Sequence, residues 1–306
     1  MKAVKLSHPV PLRRSARKGY KIPAVSCRTL GVTVAMTLVA IVGGSAAGCR
    51  APASSEGDVA SGASVADTRK ARIRGDLLAE LQPVKLANCE LERFGEPADG
   101  GYLVCGNLLA AVESAYSYGI SGYDQWGCDV SRRLDVTVHE YDCFDTREPS
   151  CPGGALAFHA ECIGTVPGVQ DGRPFDTLRN QIARNGDATK RLVVKMDVEG
   201  AEWDALLLAS DEVLQRIDQL TVEFHHVEEE RFVAAVRRLK QFFYVANLHF
   251  NNFSCDPSLA PFPSWAYEAL FVSKKLGVLD PSGAAAGPSA ADAPNNPAAP
   301  DCQEVR

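Results

Sequence analysis

No two of the ten cysteines in the 306 residues stand as a C-x-x-C pair, and no apolar run is followed by G-x-G-x-x-G. The first absence removes the usual spacing of a structural zinc site, the second the fingerprint of a nicotinamide enzyme. An excess of basic charge is missing too: the net charge is -6 with 46% hydrophobic residues. That balance gives nucleic acid no footing. Internal repeats are absent.

Residues 1–28 contain no acid, although they carry Lys2, Lys5, Arg13, Arg14, Arg17, Lys18, Lys21 and Arg28. Charge of either sign is then missing from Thr29 to Gly48. A bilayer-spanning helix needs about 20 residues, which this run just supplies. Its basic flank turns the N-terminus toward the cytoplasm and sends the remainder across the membrane. Three readings stand. The run is an uncleaved type II anchor with a luminal or extracellular domain; or it is a cleaved signal, in which Ala46-Ala47-Gly48-Cys49 resembles a bacterial lipobox with Cys49 as the lipid anchor; or it is a core helix, although no amphipathic face is visible.

Apolar periodicity is also lacking at 49–70, which reads as a disordered Ala/Ser/Gly stalk, and at 278–306, which reads as a disordered Ala/Pro-rich tail. One folded domain is therefore expected over 71–277. Cys89, Cys105, Cys128, Cys143, Cys151, Cys162, Cys255 and Cys302 follow the apolar run. An even set in an exported chain predicts disulfides without specifying their pairing.

Within 71–277 strands and helices alternate. Strands are expected over 115–120, 135–142, 155–163 and from Arg191, with helices over 175–184 and 202–217. A strand over 219–225 precedes a helix over 228–243, with Phe232, Val236, Leu239 and Phe243 on one face. Two strands, 244–250 and 267–273, close the domain without a helix between them. The pattern predicts an α/β fold with a mostly parallel sheet, helices on both faces and an antiparallel edge pair.

Ligands of such sheets sit beyond the carboxyl ends of the strands, and this chain crowds that edge with reactive side chains. Asp197, Glu199 and Glu202 follow the strand that begins at Arg191. Glu223 and His225 alternate with Val222 and Phe224 and so share a face, and His249, Asn251 and Asn252 end a later strand. Blander roles compete: Asp197 as a helix cap, Glu202 as a first-turn acid, Glu223 and His225 as a satisfied buried pair.

Lys195 to Trp203 (KMDVEGAEW) resembles the K-x-D-[IV]-E-G-x-E motif of FkbM-like methyltransferases. Asp99-Gly100-Gly101-Tyr102 resembles the DGGY segment of a membrane-anchored, methyltransferase-like branch. Leu248 to Asn252 resembles its H-x-N-N strand end, and Pro263 to Leu270 the proline-to-acid segment after it, with Glu268 as the acid. The resemblance runs from Phe94 to about Lys275. It implies a Rossmann-like seven-stranded methyltransferase sheet, S-adenosylmethionine as cofactor, and O-methylation of a glycan or small-molecule hydroxyl.

The cofactor residues it implies are Gly119 and Ser121 in the loop after the first strand, Asp124 beyond it, and Asp142 as the ribose acid, with Glu140 and Asp145 as rivals. That loop departs from G-x-G-x-G, which keeps a non-catalytic, membrane-held binding module on the same fold as the alternative. Asp197, Glu199, Glu223, His225 and His249 are the catalytic candidates, since an acceptor hydroxyl needs orientation and a base. Asp99, Gly100, Gly101, Tyr102, Asn251 and Asn252 are the substrate-binding candidates. Asp197 and Glu223 are also candidate ligands for a divalent cation.

Overall fold

A computed structural model describes residues 64–287 and 289–302. The basic segment, the apolar run with Cys27 and Cys49, and the stalk as far as residue 63 lie outside the described residues. Among those described, no helix is long and apolar enough to cross a membrane.

The end of the expected stalk is helical. The Ser64 side chain accepts from Asp67 N while the Asp67 carboxylate accepts from Ser64 N, a capping box that starts α1 (Val65–Glu80). Only Ile73 and Leu77 of α1 are buried. Those two pack into the core, and Arg69 and Arg72 pair with Glu230, Lys70 and Arg74 with Glu228. A domain boundary at 71 is therefore too late. Composition hid the first turns of the helix because Arg69 and Lys70 find their partners, Glu230 and Glu228, far along the chain.

Beyond α1, β1 (Leu91–Gly95) and β2 (Gly101–Cys105) form an antiparallel hairpin. Then come β3 (Ser114–Tyr118), α2 (Gln125–Leu134), β4 (Thr137–Tyr141) and β5 (Ala155–His159). Short strands β6 (Cys162–Ile163), β7 (Gly168–Gln170) and β8 (Arg173–Asp176) make a small separate sheet, followed by α3 (Leu178–Arg184). The chain continues through β9 (Leu192–Met196), α4 (Glu202–Leu207), α5 (Asp211–Leu214), β10 (Ile217–His225), α6 (Glu230–Leu239), β11 (Phe243–Phe250) and β12 (Ala266–Ser273).

The main sheet has the order β11-β12-β10-β9-β3-β4-β5. The five strands from β10 to β5 are parallel, while β12 runs antiparallel to both β10 and β11. This is the mostly parallel α/β sheet with the antiparallel edge that strand–helix alternation predicts. Three elements differ. The strand expected over 155–163 breaks after His159, because Cys162 and Ile163 pair with β8 instead. That pairing also takes Phe175 and Asp176 from the expected helix. The helix over 202–217 is interrupted where Ser210 caps α5 by accepting from Val213 N.

Each face of the sheet has its own cover. Leu220, Val222 and Phe224 join Leu77, Trp203, Phe232 and Val236 on one side, where Trp203 stacks on Phe224 and Phe232 at 4.1 and 4.3 Å. On the other side Ala115, Val138 and Val193 meet Phe94 and Tyr102 of the hairpin and Trp126 and Val130 of α2. Polar clamps fasten β2 to β10. The Gln219 side chain exchanges two hydrogen bonds with the Cys105 backbone (2.7 and 2.9 Å), and Thr221 donates to Leu103 O.

All eight cysteines of the described region are paired, as Cys89–Cys105, Cys128–Cys151, Cys143–Cys162 and Cys255–Cys302. The last bond overturns the expectation of a structureless tail. Bridges Leu86↔Leu279 and Val84↔Ala285 lay the tail beside the segment before β1, and Cys302 ties its far end to the β11–β12 loop. An Ala/Pro-rich segment has no core of its own, but it can borrow one by covalent and backbone bonds to a finished domain.

Candidate functional site

From β3 the chain builds outward through β4 and β5 on one side and through β9 and β10 on the other. The point where strand order reverses therefore lies between β3 and β9, and ligands of open α/β sheets bind there. Gly119 leaves β3 at this point with φ +76°, and a Cβ on it would lie 1.6 Å from the Asp197 carbonyl oxygen. Only glycine allows the two strand ends to cross so closely. Asp197 N donates to Tyr118 O at 3.0 Å, and Lys195 Nζ donates to Gly119 O at 2.7 Å.

Asp142, expected as a ribose acid, is the hub of this loop. One carboxylate oxygen accepts from Ile120 N and Ser121 N (3.1 and 2.8 Å), the other from Phe144 N and Asp145 N (2.9 and 3.0 Å). Those four donors occupy the roughly four acceptor positions of a carboxylate. Asp142 thus shapes the loop that carries Gly119 and Ser121. Asp124 is turned the other way: it caps α2 by accepting from Gly127 N, and its second oxygen is buried beside Glu140.

Glu140 is fully buried, and neither of its oxygens has a fixed donor. Burial, and then the charge of Asp124, push its carboxyl up to about 9, so it holds a proton at neutral pH. A carboxyl raised from 4.5 takes up its proton on folding. Its contribution to stability is complete below 4.5 and is lost as pH rises through about 9. In Glu140→Gln an amide N–H can donate to Asp124 with no proton uptake. The variant is expected to be more stable by roughly 1–3 kcal/mol at pH 8 and little changed at pH 4.5. Urea unfolding at both pH values checks this; an equal gain at both would refute the proton held by Glu140.

Four of the predicted catalytic side chains gather around one phenol or its neighbours. Tyr102 Oη lies 3.1 Å from Asp197 Oδ2 and 3.3 Å from Glu223 Oε2, and Asn251 donates to the other Glu223 oxygen at 2.8 Å. One hydroxyl cannot donate to two carboxylates. Burial, followed by the charges of Asp197 and Glu268, raises Glu223 well above the carboxylate range. Protonated Glu223 therefore donates to Tyr102, which donates to Asp197. Glu223 is thereby committed to the Tyr102 and Asn251 contacts, and it lies outside the group of side chains that could share an ion, which is Asp197, Glu199 and His225.

His225 is 4% exposed. Its Nδ1 and its backbone N both reach Glu202 Oε1 (3.1 and 2.8 Å), and Glu202 Oε2 accepts from Gly200 N. Burial opposes charge on the ring, but the Glu202 bond and the surrounding acids raise it to about 9. Nε2 faces Glu199 at 3.6 Å and Asp197 at 3.9 Å.

His249 belongs elsewhere. Its two ring nitrogens meet Asp292 and Asn295 of the tail at 3.1 and 3.0 Å. Asn295, 1% exposed, also donates to Glu268 and to Asp99, and Asn252 exchanges bonds with the backbone at 296, 299 and 300. Asp99, His249 and Asn252 therefore hold the chain's own tail. Gly100 and Gly101 form the hairpin turn, closed by Gly101 N donating to Ala98 O, while Tyr102 alone of that segment reaches the catalytic candidates.

Sequence reasoning gave no role to Lys195, and treated Glu202 as a helix acid and Tyr102 as a substrate contact. Alternation along β9 puts Lys195 on the same face as Asp197, a signal that was present. Nothing local marked Asn295. Comparison with protein-family models, with curated proteins and with solved structures returns no match.

Proposed function

We propose that this chain is an S-adenosylmethionine-dependent O-methyltransferase acting on a hydroxyl acceptor. The observation that carries the reading is the crossing of the Gly119 loop with Asp197 at the reversal point of a seven-stranded α/β sheet. That is where the FkbM-like resemblance puts cofactor and reaction. The crevice also fits in charge, since Asp197 and Glu199 present carboxylates to a ligand bearing a sulfonium and an ammonium group. When bound, S-adenosylmethionine supplies an electrophilic methyl group.

Gly119 and Ser121 would hold the cofactor through backbone groups, on a loop that Asp142 keeps in shape. Asp197 Oδ2 is held by Tyr102 and lies 3.8 Å from Lys195 Nζ, while no hydrogen bond among the described residues engages Oδ1. That oxygen can orient the acceptor hydroxyl and take its proton. Glu199, whose side chain is 77% exposed, can pass the proton to solvent. The indole of Trp265, 40% exposed, stands 6.2 Å from the His225 ring and offers a sugar a stacking face, which favours a glycan acceptor. Four disulfides and the basic-then-apolar N-terminus favour an anchored domain outside the cytosol.

Calorimetric titration of the full-length, disulfide-intact chain with S-adenosylmethionine tests the reading. Saturable binding at one site per chain is expected. Heat indistinguishable from dilution up to millimolar ligand would remove the enzyme and leave the non-catalytic glycan-binding module.

A further inference from the structure

Three donor atoms of the crevice converge without bonding to one another. Asp197 Oδ1, a Glu199 oxygen and His225 Nε2 lie within 4.8 Å of each other, yet the His225 contacts at 3.6 and 3.9 Å are too long for hydrogen bonds. Nitrogen and oxygen ligands sit about 2.0–2.4 Å from a first-row divalent cation, so donors sharing one ion are at most about 4–5 Å apart. The three atoms meet that condition.

The second observation is the imidazole itself. His225 is 4% exposed, its Nδ1 is bonded to the buried Glu202 carboxylate, and its Nε2 is directed at the two acids. A carboxylate behind a histidine is the arrangement that fixes the tautomer of a metal ligand and raises its basicity. Glu202 is itself fixed by the backbone at Gly200 and His225.

We infer that Asp197, Glu199 and His225 form a divalent-cation site at the crevice, oriented by Glu202. One imidazole with two carboxylates suits Mn²⁺ or Zn²⁺ better than Mg²⁺ or Ca²⁺. Three protein ligands leave positions open for water or an acceptor oxygen. With the ion in place, a bound hydroxyl would be more acidic, and Asp197 Oδ1 would serve as a ligand rather than as the base. Binding of the ion does not depend on the methyltransferase reading.

The test is titration of the full-length, disulfide-intact chain with Mn²⁺ alone, following loss of the free-ion paramagnetic resonance signal. One saturable site is expected. Glu199→Gln, at an exposed side chain that the fold does not need, should weaken it at least about tenfold. Asp197→Asn should do the same, and Glu212→Gln, an exposed acid elsewhere, should change it less than twofold. Absence of saturable binding to millimolar Mn²⁺, or unchanged affinity in both Glu199→Gln and Asp197→Asn, overturns the site.

Discussion

Under the proposed methyl transfer, Asp197→Ala is expected to lower turnover by about 10²–10⁴-fold while affinity for S-adenosylmethionine changes by less than a few-fold. The carboxylate sits at the end of β9 with one oxygen held by Tyr102 and the other turned to the crevice. Its removal takes away the group proposed to orient and deprotonate the acceptor. It leaves the Gly119 loop intact, because that loop is bonded to the Asp197 backbone side of the crossing and to Asp142, not to the Asp197 side chain. Single-turnover transfer of labelled methyl, alongside calorimetry, separates the two quantities. Turnover within threefold of the parent chain would take Asp197 out of the chemistry.

Gly119→Ala is expected to destabilise the domain by roughly 3 kcal/mol or more and to abolish binding of the proposed cofactor. Two penalties combine: positive φ, and a methyl group 1.6 Å from the Asp197 carbonyl oxygen and 2.7 Å from its carbon. Neither atom can swing away, since both belong to the backbone that leaves β9. Gly153→Ala provides the comparison. Gly153 has φ +83° but nothing within 4 Å of a built Cβ, so only the conformational penalty of about 1–3 kcal/mol applies there. Denaturant midpoints of the two variants measure the difference. Equal losses would mean that the strand ends do not cross as closely as described.

These expectations draw unequally on the primary structure. That acids would end a buried strand at Asp197 was legible, because the change from apolar run to charge and glycine is a local signal. So was the shared face of Glu223 and His225, since alternation follows from the pleat of a strand. The partners were not legible. Tyr102 reaches Asp197 across 95 residues and Glu223 across 121, and no periodicity spans such distances. Glu140 gave no sign that it would hold a proton, because that depends on its burial beside Asp124.

The tail shows the same division most sharply. Composition made 278–306 a chain with nothing to bury, which is true of it in isolation. In the folded protein, a disulfide across 47 residues and the side chains of His249, Asn252 and Glu268 hold it against the sheet. Motif residues expected to meet a substrate meet Asp292, Asn295 and Asn296 instead.

By itself the sequence determined the strand–helix alternation of the second half of the domain, the mostly parallel sheet with its antiparallel edge, and the strand ends at which acids gather; it did not determine α1, the hairpin, α2 or the small sheet. What it determined follows from side-chain spacing over a few residues, where backbone geometry imposes the period. Only the tertiary structure decided which acid is buried with a proton, which side chains could share a cation and which hold the tail. Strand order and register set those distances, and they come from the packing of the whole sheet against both of its covers.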